Sequence, residues 1–116
     1  VPLYGILFGM RGVPAVYYGS EWGIKGDKLP GDHERRPAVD APEWNELTDW
    51  IAALAKARSG SEALVWGGYE QLAVAPKQLV FQRATEHERA IVDINASDEP
   101  TTMHFDASAA ARPTLP

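Results

Sequence analysis

Cysteine is absent from the 116 residues, which excludes a disulfide framework and any thiolate metal site and leaves the redox compartment open. Long apolar runs are absent too, none approaching the roughly 20 residues of a membrane span. Basic charge is scarce: 11 Lys and Arg stand against 16 Asp and Glu, for a formal net charge of -5. A phosphate backbone needs clustered cations, so nucleic acid is not an expected partner, and without a span-length run neither is a membrane. The three histidines, His33, His87 and His104, lack HExxH or other ligand spacing and read as surface residues, so no metal or cofactor is expected. An initiator methionine and a recognisable signal peptide are also missing; the chain starts Val1-Pro2 and enters an apolar run, and it reads as a piece of something longer.

What remains is 45% hydrophobic, with ten Gly and nine Pro, the composition of a loop-rich globular protein. Leu3 to Met10 is too densely apolar for a clean period and is expected to form the last turns of a buried helix. Val13 to Tyr18, bounded by Gly12 and Gly19, favours a strand covered on both faces, as in a parallel sheet. From residue 19 to 41 the chain turns polar, and Gly23, Gly26, Pro30, Gly31 and Pro37 predict a long loop of the functional kind. Between Pro42 and Arg58, the spacing of Trp44, Leu47, Ile51, Leu54 and Ala55 predicts a helix with one apolar face. Asp40 and Glu43 resemble its capping box, and Gly60 marks its end.

Past Gly60 the period changes from 3.6 to 2. Four alternating runs, Tyr69 to Ala75, Gln78 to Arg83, Arg89 to Asn95 and Thr101 to Phe105, are separated by short turns at Pro76-Lys77, Thr85 to Glu88 and Ala96 to Pro100. They predict an antiparallel meander with Leu72, Val74, Leu79, Phe81, Ala90, Val92, Ile94, Met103 and Phe105 inward. Residues 1–60 thus read as α/β and residues 61–116 as all-β. One strand and one or two helices make no α/β core by themselves, so the first part is expected to belong to a larger unit.

The stretch "GVPAVYYGSEWG", Gly12 to Gly23, resembles the eighth barrel strand of the α-amylase family, glycoside hydrolase family 13. "GDHERRP" is similar to the substrate-contacting loop after that strand, and "ELTDWIAALAKARSGSEAL" to the eighth helix leading into the C-terminal β domain; "RAIVDINASDEP" looks like a strand and turn of that domain. The loop and β domain look most like neopullulanase and cyclomaltodextrinase, enzymes acting on maltodextrins. The resemblance implies an α+β fragment: the last strand and helix of a (β/α)8 barrel (residues 1–60, strand 13–18, loop 19–41, helix 42–58), followed by an antiparallel β-sandwich domain (residues 61–116), incomplete here.

In such barrels the active site lies at the C-terminal ends of the strands, so the loop after Tyr18 would open onto it. The resemblance also implies a retaining mechanism, with two carboxyl groups about 5 to 5.5 Å apart. The family draws its nucleophile, acid/base and supporting Asp from strands four, five and seven, all upstream of this chain, so none of the residues present is expected to be catalytic. Substrate contact would fall to Asp32 and Arg35, with Arg36 able to exchange roles with Arg35, since a carboxylate accepts from vicinal hydroxyls while a guanidinium supplies a planar fork of donors. A solvated ion pair is the plainer alternative for them. Asp32 and Glu34 as a self-contained dyad would lack a scaffold to fix their separation. Tyr18 or Tyr17 could stack on sugar, one of the two packing in the core, because neighbours on a strand point apart. Glu21 stands with Tyr18 among the expected substrate-binding residues and is placed to hydrogen-bond within the loop. Trp44 is expected in the core, with Trp50 and Trp66 at the junction of the two parts.

The expected function is therefore that of the C-terminal part of an α-glucan-processing glycosidase, silent alone, whose partners are a maltooligosaccharide and the missing N-terminal part of the barrel. The rival reading is a stand-alone carbohydrate-binding module. Cytoplasmic residence follows only from the subfamily likeness. With barrel neighbours missing, self-association or disorder of residues 1–40 is expected.

Overall fold

The computed structural model describes residues 1–25 and 38–107. They contain helices α1 (Pro2–Gly9), α2 (Glu46–Ser59) and α3 (Glu62–Trp66), a 3-10 turn at Ser20–Trp22, and strands β1 (Gly68–Ala75), β2 (Gln78–Ala84) and β3 (Arg89–Asn95). The strands form one antiparallel sheet in the order β1-β2-β3. Among the described residues no helix is long and apolar enough to cross a membrane.

Helix α2 starts at Glu46 rather than Pro42, and its cap is Asn45, not Asp40. The Asn45 side chain accepts from the main-chain N–H groups of Leu47 (2.9 Å) and Thr48 (3.3 Å), while Thr48 Oγ1 accepts from the Asn45 N–H (3.2 Å). This reciprocal box satisfies donors that the first turn leaves open. Glu46 and Asp49 in the first turn, with Lys56 and Arg58 in the last, complement the helix dipole. Trp44 precedes the cap and is not in the core: it is 65% exposed, its indole N–H donates to Asp49 Oδ1 (2.7 Å), and its ring meets Trp22 edge-on at 6.1 Å. Trp50 and Trp66 are exposed as well, so neither seals a junction.

Helix α3 went unread in the sequence. Ser61 caps it, accepting from the Leu64 N–H (3.1 Å), and Glu88 from the turn between β2 and β3 accepts from Ser61 Oγ (2.8 Å) and the Ala63 N–H (2.9 Å). Gly67 follows, and a Cβ there would lie 2.7 Å from Ala84 N and against the Ala63 carbonyl, so only glycine lets the chain pass this close to β2.

The hairpin turn at Pro76-Lys77 forms as expected, with Ala75 opposite Gln78 and Lys77 at φ 61°. Central strand β2 is buried continuously from Val80 to Ala84, on both faces, rather than alternately. The pairing of β1 slips between Gln71 and Ala73, so Leu72 is an extra residue and the expected alternation of Leu72 and Val74 fails; Val74, on the edge strand, is 65% exposed. The fourth run, Thr101 to Phe105, makes no ladder. Ahead of it, Asn95 Nδ2 and the hydroxyls of Ser97 and Thr101 all donate to the Glu99 carbonyl, a local side-chain network that diverts the chain from pairing.

Helix α1 forms where expected and packs against both α2 and β3, so both parts of the chain share one core of Phe8, Ile51, Ala63, Val80, Phe81, Ala84 and Ile94. Val13 to Tyr18, by contrast, is in no strand. A segment meant to be buried on both faces needs a neighbour along each edge, and the described residues supply none. Val13 is accordingly 94% exposed.

Candidate functional site

Helix α2 acts as a splint for the glycine-bounded segment. At its last turn Arg58 donates from Nη1 to the carbonyls of Phe8 (2.7 Å) and Met10 (2.9 Å), and from Nη2 to that of Gly12 (2.6 Å). At its first turn Thr48 Oγ1 donates to the Glu21 carbonyl (2.6 Å) and Asn45 Nδ2 to that of Trp22 (3.0 Å). The segment from Gly12 to Trp22 is therefore pinned at both ends and runs opposite to the helix.

Gly19 (φ 85°) and Gly23 (φ 69°) bracket the 3-10 turn in left-handed conformations that other residues adopt only with strain. The turn brings the Ser20 N–H to the Tyr17 carbonyl (3.0 Å) and the Ile24 N–H to that of Gly19 (3.0 Å). Just before it, Tyr17 and Tyr18 are 56% and 45% exposed with ring centroids 4.9 Å apart. Neither packs in the core, contrary to the alternation expected of a strand, because the described residues supply no neighbouring strand to bury either one.

Glu21 bonds within the region through its main chain, by the Thr48 contact, and not through its carboxylate: Oε2 is buried with no hydrogen-bond partner among the described residues. Asp32, Arg35 and Arg36, the other expected substrate contacts, lie outside the described residues, as do His33 and Glu34. Among the described residues no group of three or more His, Cys, Asp or Glu is placed to hold a metal ion.

Sequence reasoning missed Asn45, Thr48 and Arg58, which position the segment. A signal existed for each. Asn45 and Thr48 stand at cap spacing, and Arg58 falls on the stripe set by Ile51, Leu54 and Ala55, where a polar residue is buried only with partners. Arg58 is 7% exposed and Arg83, its counterpart on β2, 1%. Arg83 donates to the carbonyls of Gly67 (2.7 Å from Nη2), Gly68 (3.1 Å from Nε) and Gly9 (2.8 Å from Nη1), tying α1 to the sheet.

No protein-family model matches the chain. Individual proteins do. The chain is 31% identical over 102 residues to a cyclomaltodextrin glucanotransferase of Klebsiella oxytoca, covering 79% of this chain and 15% of that protein. It is 31% identical over 112 residues to α-amylase MalA of Haloarcula japonica, covering 89% of this chain and 16% of that protein. Among solved structures, cyclic α-maltosyl-(1→6)-maltose hydrolase of Arthrobacter globiformis is 33% identical and matches 81% of this chain and 21% of its own; the TM-score is 0.67 for the ligand-free form and 0.70 for the complex with cyclic α-maltosyl-(1→6)-maltose. The chain thus spans about one sixth to one fifth of the length of these relatives. Sequence and backbone point the same way, and the chain belongs to the α-amylase family, glycoside hydrolase family 13.

Proposed function

We propose that this chain is the C-terminal part of an α-glucan-processing enzyme of the retaining α-amylase type: the last strand, loop and helix of a (β/α)8 barrel followed by an antiparallel β domain. The catalytic carboxylates are supplied by polypeptide upstream, and the chain alone is inactive. It contributes one wall of the substrate site, with Tyr18, Glu21, Asp32, Arg35 and Arg36 as the contacts to a maltooligosaccharide. Cytoplasmic residence is part of the same proposal.

The observation that carries this reading is the double clamp. A segment pinned to α2 at Gly12 and at Glu21 and Trp22, with the N–H groups of residues 13 and 15 to 18 unpaired among the described residues, is a strand positioned for neighbours on both edges. In barrels of this kind the substrate meets the C-terminal ends of the strands, where Tyr18 and Glu21 stand. The named relatives are a cyclomaltodextrin glucanotransferase, an α-amylase and a cyclic α-maltosyl-(1→6)-maltose hydrolase, which supports an α-glucan rather than another sugar polymer. A stand-alone binding module draws less support: on the sheet, Phe81 is fully buried and Tyr69 lies against it at 5.2 Å, leaving no aromatic pair free there for a sugar.

The test is release of reducing ends from maltoheptaose, assayed for the 116-residue chain and for a longer polypeptide that includes the upstream coding sequence. The longer protein should cleave or transfer, the chain should not, and Tyr18→Ala in the longer protein should raise KM several-fold. Cleavage by the 116 residues unaided would overturn the reading.

A further inference from the structure

The molecule has a second feature, at the other end of the segment from Tyr18 and Glu21. Arg11, Arg58 and Arg83 line one cleft of about 450 Å3, whose other walls include Val13, Pro14 and Trp66. No carboxylate pairs with any of the three among the described residues, the one ion pair there being His87 with Glu62. Their hydrogen bonds go to main-chain carbonyls alone, and these do not exhaust the donors. A guanidinium has five N–H groups. Arg58 spends both on Nη1 and one on Nη2, leaving two; Arg83 spends Nε and one on each terminal nitrogen, leaving two; Arg11 makes no hydrogen bond at all among the described residues.

Burial of a cation without a counter-charge is costly, and carbonyl dipoles offset only part of that cost. The strain registers at Arg83, whose pKa is lowered by burial and then by the neighbouring charges of Arg58 and Arg11. An anion in the cleft would offset that cost for Arg58 and Arg83 and pair with Arg11 as well.

We propose that this cleft is a binding site for a small oxyanion, a phosphate or carboxylate group, received by Arg11 together with the unspent donors of Arg58 and Arg83, with Pro14 and Trp66 as apolar walls. Guanidinium forks suit planar or tetrahedral oxyanions because two parallel N–H groups meet two oxygens. Arg11 is the exposed member and the natural gate, since the other two are fixed by their carbonyls.

The experiment is calorimetric titration of the longer protein, which carries the neighbours of Val13 and Pro14, with inorganic phosphate and, separately, acetate, at constant ionic strength so that general screening does not change. Saturable binding of one anion per chain is expected, weakened at least about tenfold by Arg11→Gln, a surface substitution whose circular dichroism should match the parent. Tighter binding of phosphate identifies a phosphate-type ligand, and acetate binding at least as tightly identifies a carboxylate. Saturation by neither anion, or equal binding by Arg11→Gln, would overturn the proposal. The outcome is independent of whether the protein acts on glucans.

Discussion

Thr48→Val isolates the clamp at the first turn of α2. Thr48 is 5% exposed, and valine matches its shape, so packing is kept while the hydroxyl is lost. Two bonds disappear together: the one to the Glu21 carbonyl (2.6 Å) and the one from the Asn45 N–H (3.2 Å). Each is worth about 0.5–1.5 kcal/mol net, and both orphaned groups are part-buried, which puts the gross loss at about 2–3 kcal/mol. The extra buried methyl returns about 0.8 kcal/mol at most, leaving a net destabilisation of about 1.5–2 kcal/mol. Thr48→Ser is the control, because it keeps the hydroxyl and loses only the methyl, at about 0.8 kcal/mol. Urea unfolding followed by circular dichroism reads both variants. If valine costs no more than serine, the hydroxyl does not hold the segment and the splint argument fails.

Gly67→Ala would drive a Cβ to 2.7 Å from Ala84 N and 2.9 Å from Ala84 O, backbone atoms that cannot rotate away, so a loss of about 3 kcal/mol is expected, seen as a fall of about 12 °C or more in Tm. Glu88 supplies a pH dependence with a definite sign. The Ala63 N–H and then the Ser61 hydroxyl bond its carboxylate and hold its pKa below the ordinary glutamate value of 4.5. Its contribution is present above that value and is lost as pH falls through the lowered one. The urea midpoint of the parent should therefore drop more between pH 7 and pH 3 than that of Glu88→Gln; parallel curves would show that Glu88 does not hold α3.

Helical spacing made α2 legible, yet its start was not. Asp40 with Glu43 and Asn45 with Thr48 both offer cap chemistry, and the second pair starts the helix where Asn45 also reaches the Trp22 carbonyl, a contact 23 residues away that no local pattern contains. The three observed strands were legible through period-2 alternation, but the slip at Leu72 was not, nor that Val80 to Ala84 would be covered on both faces. Thr101 to Phe105 alternates equally well and forms no strand although β3 has an unpaired edge among the described residues, because the side-chain bonds of Asn95, Ser97 and Thr101 to the Glu99 carbonyl turn the chain away, and alternation does not register them. At the candidate site, the tyrosines and Glu21 stood out by residue type. The groups that position them, Arg58 above all, did not, because its place on an apolar stripe signals burial with partners but not that those partners are the carbonyls of Phe8, Met10 and Gly12.

The central claim is that residues 13 to 18 form a barrel strand whose neighbours belong to polypeptide outside this chain. Residue-resolved amide hydrogen exchange tests it, run on the 116-residue chain and on the longer protein. Val13, Ala15, Val16, Tyr17 and Tyr18 should exchange at nearly free-peptide rates in the chain while Val80 to Ala84 are protected, and should become strongly protected in the longer protein. Equal exchange of those five amides in the two proteins, fast or slow, would contradict the account.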